Sequence, residues 1–293
     1  MDLESLQNLT GVTLSKRGSI DVIEVKTALA QAAISLHGAT VLSFQPAQQQ
    51  ELLWLSEQAV FNGDKAIRGG IPICWPWFGK APQGGLMAHG FVRNRAWQLE
   101  AVKKLSNGHI SLVLSISDSP ETLAIWPHKF KLQLNLDIGE TLSISLISEN
   151  LNAYPIYITE ALHTYFAIKE PKKLEIDGLQ LATHIDTLYS DRDPEIQINK
   201  VQLSPPRDSV YQEQTGLLRL DDSGNNRIIC IEKQFSNSSI VWNPGPEIVK
   251  GFVDINNNAW QEFACIESGN VWDQGVEIAP HETHKLTVIY SID

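Results

Sequence analysis

The sequence predicts an all-β protein, a large antiparallel β-sandwich, on three observations. Apolar residues recur with period two in short runs, turn-forming residues separate those runs, and helical patterning is scarce. Ile110, Leu112, Leu114 and Ile116 alternate with Ser111, Val113 and Ser115. Leu132, Leu134, Leu136 and Ile138 alternate with polar neighbours, as do Leu142, Ile144 and Leu146, and later Leu286, Val288, Tyr290 and Ile292. Successive side chains of a strand point to opposite faces, so each run offers one apolar face to a core and one polar face to water.

The connections agree. Gly139-Glu140 between two alternating runs predicts a tight hairpin, and the loop Asp221–Asn226 predicts another within 217–232. The one helix signal is Ser119 as cap with Pro120 at the first helical position; Pro127 stops it after barely two turns. Residues 1–293 contain no internal repeat, low-complexity linker or charge block, so one domain with well over seven strands is expected.

Composition bounds the partners. With 34 acidic against 23 basic residues the net charge is −11, which leaves no broad basic surface for nucleic acid or an anionic membrane. The first ten residues, MDLESLQNLT, are acidic and polar, and no apolar run approaches a membrane span. Cys74, Cys230 and Cys265 are odd in number and scattered, and read as reduced, buried thiols of a cytoplasmic protein. His281 and His284 lack partners at metal-ligand spacing, so no metal site is expected.

One stretch departs from the alternation: residues 68–97, RGGIPICWPWFGKAPQGGLMAHGFVRNRAW. Pro72, Pro76 and Pro82 fix φ and remove donors, and the glycine pairs free the backbone, which predicts a long shaped loop held by aromatic packing. Arg68, Lys80, Arg93 and Arg95 beside Trp75, Trp77 and Phe78 suggest a concave site for an anion with an apolar face, a description that fits a sugar phosphate. Against this stands the plainer reading of those aromatics as core.

Two further stretches hold candidate chemistry. If 156–166 is one extended strand, His163 shares a face with Tyr157, Thr159, Ala161 and Tyr165, and Glu160 lies on the other. In FACIESGN an apolar strand runs into Glu267 and then into the turn formers Ser268-Gly269-Asn270. A carboxylate at such a strand end is partly desolvated, which raises its pKa toward the range of a general base. Taken singly, His163 also reads as a structural histidine and Glu267 as a turn cap.

Together, RGGIPICWPWFG (Arg68–Gly79), HGFVRNRAW (His89–Trp97), WPHKF (Trp126–Phe130), EALHTYF (Glu160–Phe166), VWNPG (Val241–Gly245) and FACIESGN (Phe263–Asn270) resemble the hexose-6-phosphate mutarotase (glucose-6-phosphate 1-epimerase) family. This is a branch of the galactose mutarotase-like proteins, and the motifs occur in the family's order along most of the chain. The resemblance implies the galactose mutarotase-like supersandwich with a few short helices. It implies His163 as acid and Glu267 as base in the interconversion of α and β anomers. Arg68, His89, Arg93 and Asp208 are implied to bind substrate, with Lys80 and Trp75 as candidate phosphate or sugar contacts. Two positions depart from the pattern: Ser209 follows Asp208 where arginine is more usual, and Ala88 precedes HGF where some members carry a polar residue.

Anomer exchange takes a proton from the C1 hydroxyl and gives one to the ring oxygen, so one base and one acid suffice. No cofactor is expected, and the expected partner is a small-molecule hexose 6-phosphate bound by a monomer. A non-catalytic sugar-phosphate-binding protein and a free-sugar aldose 1-epimerase are the alternatives. No facing pair of carboxylates is legible, which argues against glycoside hydrolysis.

Overall fold

The computed structural model describes residues 10–82, 84–189 and 191–293; the polar N-terminal stretch read above lies almost wholly outside them. Strands dominate, and every strand pairing within the sheets is antiparallel. A nine-stranded sheet carries most of the alternating runs, in the order Val201–Gln202, Leu174–Asp177, Leu218–Asp222, Arg227–Gln234, Thr283–Ile292, Leu142–Asn150, Phe130–Ile138, Ile110–Ser117 and Gln98–Lys104. The hairpin at Gly139-Glu140 closes with Ile138 opposite Leu142. Leu218 faces Ile231 in the second hairpin. The helix Pro120–Ile125 starts at Ser119, whose side chain accepts from the Thr122 N–H while the Thr122 hydroxyl accepts from the Ser119 N–H.

An eight-stranded sheet lies against it. Its central strands are Arg207–Gln212, Ser238–Asn243, Phe263–Asn270 and Glu160–Leu162, with Ile73–Cys74 at one edge. Leu162, Phe166, Tyr211, Val241, Ala264 and Ile266 point from one face of this sheet into the main apolar cluster. There they join Leu112, Leu134, Leu146, Leu220 and Val288 of the nine-stranded sheet. A four-stranded sheet, Val12–Arg17 to Val41–Pro46, adds Ile23, Ile34 and Phe44 to the same core. Its small residues, such as Ala30, Ala32 and Ala33, alternate too weakly to signal strands by hydrophobicity alone.

Two expectations about local structure need correction. The run 156–166 is not one strand but three, Ile156–Ile158, Glu160–Leu162 and Tyr165–Ala167, because different partners claim its backbone. Thr159 N–H donates to the Pro76 carbonyl and His163 N–H to the Pro72 carbonyl, both from the loop that follows Arg68. The segment FACIESGN, in turn, does not end in a turn: all eight residues form one buried strand. Gly269 is there for close approach, since a Cβ would lie 2.2 Å from the Glu160 carbonyl oxygen. Asn270 spends its side chain on Glu160, Phe235 and the Asn237 N–H.

The described residues of the stretch 68–97 form a connection with little regular structure. They contain only the strand Ile73–Cys74 and a 3₁₀ turn at Val92–Asn94, and they are tied down by isolated bridges at Gly69, Ile71, Trp75 and Ala96. Gly90, with φ of 73°, passes so close to Trp75 that a Cβ would overlap the Trp75 carbonyl. No helix among the described residues is long and apolar enough to cross a membrane.

Candidate functional site

The second face of the eight-stranded sheet floors a cavity of about 790 Å³. Strand register explains which residues meet there. Leu162 sits opposite Ser268 and Tyr165 opposite Cys265, in one continuous register across the break between the two short strands. His163 therefore falls directly across from Glu267, where ladder pairing lapses. Glu267 in turn faces Ile240, and Ile240 faces Val210, so His163, Glu267, Ile240 and Val210 form one row across the floor. Two residues along, Tyr165, Cys265, Trp242 and Asp208 form the next.

The His163 Nε2 lies 3.4 Å from a Glu267 carboxylate oxygen. Glu267 is 1 % exposed and His163 8 %. The other Glu267 oxygen and the His163 Nδ1 are buried with no hydrogen-bond partner. Desolvation pushes the Glu267 carboxyl well above its usual range, with Asp208 adding repulsion that Arg93 partly offsets. Desolvation likewise pushes the His163 imidazole well below 6.5, reinforced by His89, Arg93 and Arg68. Both groups are driven toward their neutral forms, so the pair holds one proton between them.

Three cations face the same cavity in a chain of net charge −11: Arg68, Lys80 and Arg93. Arg68 is heavily engaged. Its Nε donates to Asp254 at 3.2 Å, one terminal nitrogen donates to the Tyr165 hydroxyl at 3.0 Å, and the guanidinium lies 5.1 Å from the Phe252 ring centroid. Burial opposes its charge, but Tyr165 and Asp254 outweigh that and its pKa is raised. Arg93 donates from one terminal nitrogen to the Ala88 carbonyl, while its buried Nε has no partner. Arg95 is elsewhere, on a surface cleft beside Gln98 and Glu121.

His89 enters with a positive φ of 64°, and its Nδ1 accepts from the Gly79 N–H at 3.3 Å. That bond places the ring proton on Nε2. Burial, then Arg93 and Arg68, push its pKa down to about 3, so His89 is a neutral donor rather than a cation. Asp208 lines the floor as well; burial raises its carboxyl pKa, and the Thr187 hydroxyl opposes the shift.

The structure thus gathers His163, Glu267, Arg68, His89, Arg93, Asp208 and Lys80 around one hollow. Trp75 is the correction. It is fully buried on the core side, donates from Nε1 to the Ser148 hydroxyl at 3.1 Å, and packs edge-on against Phe91 and Trp126. Trp77 is buried too, its Nε1 donating to the Met87 carbonyl. For these two tryptophans the plainer core reading holds, because the short strand before Trp75 directs it between the sheets. The cavity's tryptophans are Trp242 and Trp272. Trp242 belongs to the VWNPG motif, whereas Phe252, Thr187 and Trp272 carried no local signal. Cys74 is also fully buried, and burial raises its thiol pKa, as expected of an unreactive buried thiol. All three cysteines are buried and free. Among the described residues no group of three acidic, histidine or cysteine side chains could hold a metal ion.

The aldose 1-epimerase family profile matches residues 21–291. An Escherichia coli K12 protein named "Putative glucose-6-phosphate 1-epimerase" is 36% identical over 254 residues, covering 86% of this chain and 84% of that protein. A protein of the same name from Salmonella typhimurium LT2 is 34% identical over 91% of this chain and 89% of its own length. The crystal structure of "a putative mutarotase (YeaD)" from Salmonella typhimurium superposes with a TM-score of 0.91 at 29% identity, over 98% of this chain and 95% of that one. The register-matched His–Glu pair, the cation-rimmed hollow and these likenesses agree, and the chain belongs to the aldose 1-epimerase family.

Proposed function

We propose that this protein interconverts the α and β anomers of D-glucose 6-phosphate and related hexose 6-phosphates. The observation that carries the reading is the buried His163–Glu267 contact, 3.4 Å apart on the floor of a cavity rimmed by three cations. The histidine–carboxylate pair supplies acid and base, and the cations supply a reason for the substrate to be anionic.

The steps follow from the groups present. The pair's one proton first passes from Glu267 to His163 across their contact. The Glu267 carboxylate then takes the proton of the C1 hydroxyl while the His163 imidazolium gives its proton to the ring oxygen, the C1–O5 bond breaks, and an open-chain aldehyde forms. Rotation about C1–C2 presents the other carbonyl face. Closure reverses both transfers and returns the pair to its starting state. Proton count is conserved, because the pair exchanges one proton with the sugar in each direction. Burial favours the neutral pair, which is its state while the ring is open. General acid and general base catalysis each contribute roughly 10²–10⁴-fold.

The phosphate would lie against Arg93 and Lys80, with Arg68 contributing the donors that Asp254 and Tyr165 do not occupy. His89 offers Nε2–H, and Asp208 a carboxyl group, to sugar hydroxyls. Trp242, Phe252 and Trp272 supply apolar faces. Two-dimensional exchange NMR on glucose 6-phosphate tests the proposal. Micromolar protein is expected to accelerate anomer exchange over buffer, and more for glucose 6-phosphate than for free galactose. No acceleration with either sugar rejects it, and a preference for galactose rejects the phosphate part.

A further inference from the structure

A buried imidazole that must hand over a proton is usually oriented by a hydrogen bond to its second nitrogen. His163 has none: Nδ1 is buried and unpartnered. Something else must fix the ring plane. Three rings surround it. Tyr165 lies parallel, with centroids 4.8 Å apart and planes 13° from coincidence, while His89 and Trp242 meet it edge-on at 5.8 and 6.2 Å. Edge contacts block lateral movement, but only the parallel face opposes rotation of the plane.

Tyr165 is itself held at both ends. Its ring is 2 % exposed and packs on Phe263 and Trp54, and its hydroxyl accepts from Arg68. Arg68 is in turn fixed by Asp254 and Phe252. We infer that Tyr165 is the positioning residue for His163, holding the imidazole plane by face-to-face stacking while Arg68 anchors the tyrosine hydroxyl. Tyr165 and His163 are two residues apart on one strand face, so the stack follows from strand geometry once the register on either side of the break is kept. A consequence is that Arg68 serves both the anion and the acid, through the ring between them.

This assignment rests on the proposed anomer exchange for its kinetic reading, but not for its structural one. Tyr165→Phe keeps the ring and loses the anchor, whereas Tyr165→Leu loses the stack. Ring-proton NMR shifts of His163 report the stack without substrate: the ring-current displacement is expected to persist in Tyr165→Phe and vanish in Tyr165→Leu. With glucose 6-phosphate, Tyr165→Leu is expected to lower kcat by about 10- to 100-fold with KM within about twofold, since small misplacement of a reacting group costs on that scale. Tyr165→Phe is expected to lose less than about fivefold, as a net hydrogen bond of modest worth is removed. The assignment is overturned if the His163 shifts are unchanged in a folded Tyr165→Leu protein. It is also overturned if that protein keeps wild-type kcat, or if Tyr165→Phe is as impaired as Tyr165→Leu. Should wild-type protein not accelerate exchange at all, the function fails while the NMR comparison still decides the stacking role.

Discussion

Replacing Glu267 with glutamine tests the centre of the mechanism by two independent routes. The shape is kept and the ionisable group is removed. In exchange NMR the variant is expected to lose roughly 10²–10⁴-fold in rate, the contribution of one general base. The second route is linkage. The folded pair binds one proton, because desolvation holds His163 well below 6.5 and Glu267 well above 4.5. In the unfolded chain both groups titrate at their ordinary values. Below pH 4.5 the unfolded pair binds two protons against one, so stability falls as pH falls. Between 4.5 and 6.5 each state binds one and the contribution is flat. Above 6.5 the unfolded pair binds none, and stability falls as pH rises until Glu267 ionises, at up to about 1.4 kcal/mol per pH unit. In the glutamine variant neither state binds a proton at this site above 6.5, and that slope vanishes. Urea unfolding at pH 6.5, 7.5 and 8.5 is therefore expected to show the variant gaining on wild type as pH rises. A stability difference that does not change with pH over this interval would refute the one-proton account. An exchange rate equal to wild type would refute the base assignment.

The other expectations use simpler readouts. His163→Ala is expected to abolish detectable exchange while circular dichroism stays that of a folded β protein; near-full activity would remove His163 from the chemistry. Arg93→Ala is expected to raise KM for glucose 6-phosphate by about 10- to 100-fold, the scale of a charge-assisted contact, with little effect on free glucose. Arg68→Ala is expected to impair both sugars, because it also releases Tyr165; equal selectivity in the two variants would contradict the double role of Arg68. Trp75→Ala is expected to destabilise the fold by about 3–5 kcal/mol in urea unfolding, with KM unchanged in the remaining folded protein, as befits a core residue.

The alternation from Ile110 to Leu146 and from Leu286 to Ile292 was enough to identify half-buried strands, because the side-chain period of a strand is a local property. Ser119 and Pro120 located the helix start for the same reason. Local reading failed at Ser268-Gly269-Asn270. Turn formers became strand interior there because Ala161 packs against Gly269 and Glu160 takes up the Asn270 amide. It also failed across Thr159 and His163, whose backbone donors are taken by carbonyls of Pro76 and Pro72 about ninety residues earlier. The unpredicted strand Ala30–Ser35 is alanine-rich and owes its pairing to neighbours on both sides.

The same division holds for the site. Residue types and motif order named His163, Glu267, Arg68, His89, Arg93, Asp208 and Lys80 as candidates, since acid, base and anion donors are properties of single side chains. The chain by itself could not separate Trp75 from Trp242, one buried between the sheets and the other facing the hollow, because that depends on which side of a sheet each residue takes. Nor could it give the protonation of the pair or the orientation of the imidazole. The first arises from desolvation and from charges contributed by distant segments. The second arises from a ring stack that exists only once the register of Glu160–Leu162 and Tyr165–Ala167 against Phe263–Asn270 is set. Chemistry that belongs to one residue can be read along a chain, whereas proximity and exclusion of water belong to pairs of segments and are decided only when those segments meet.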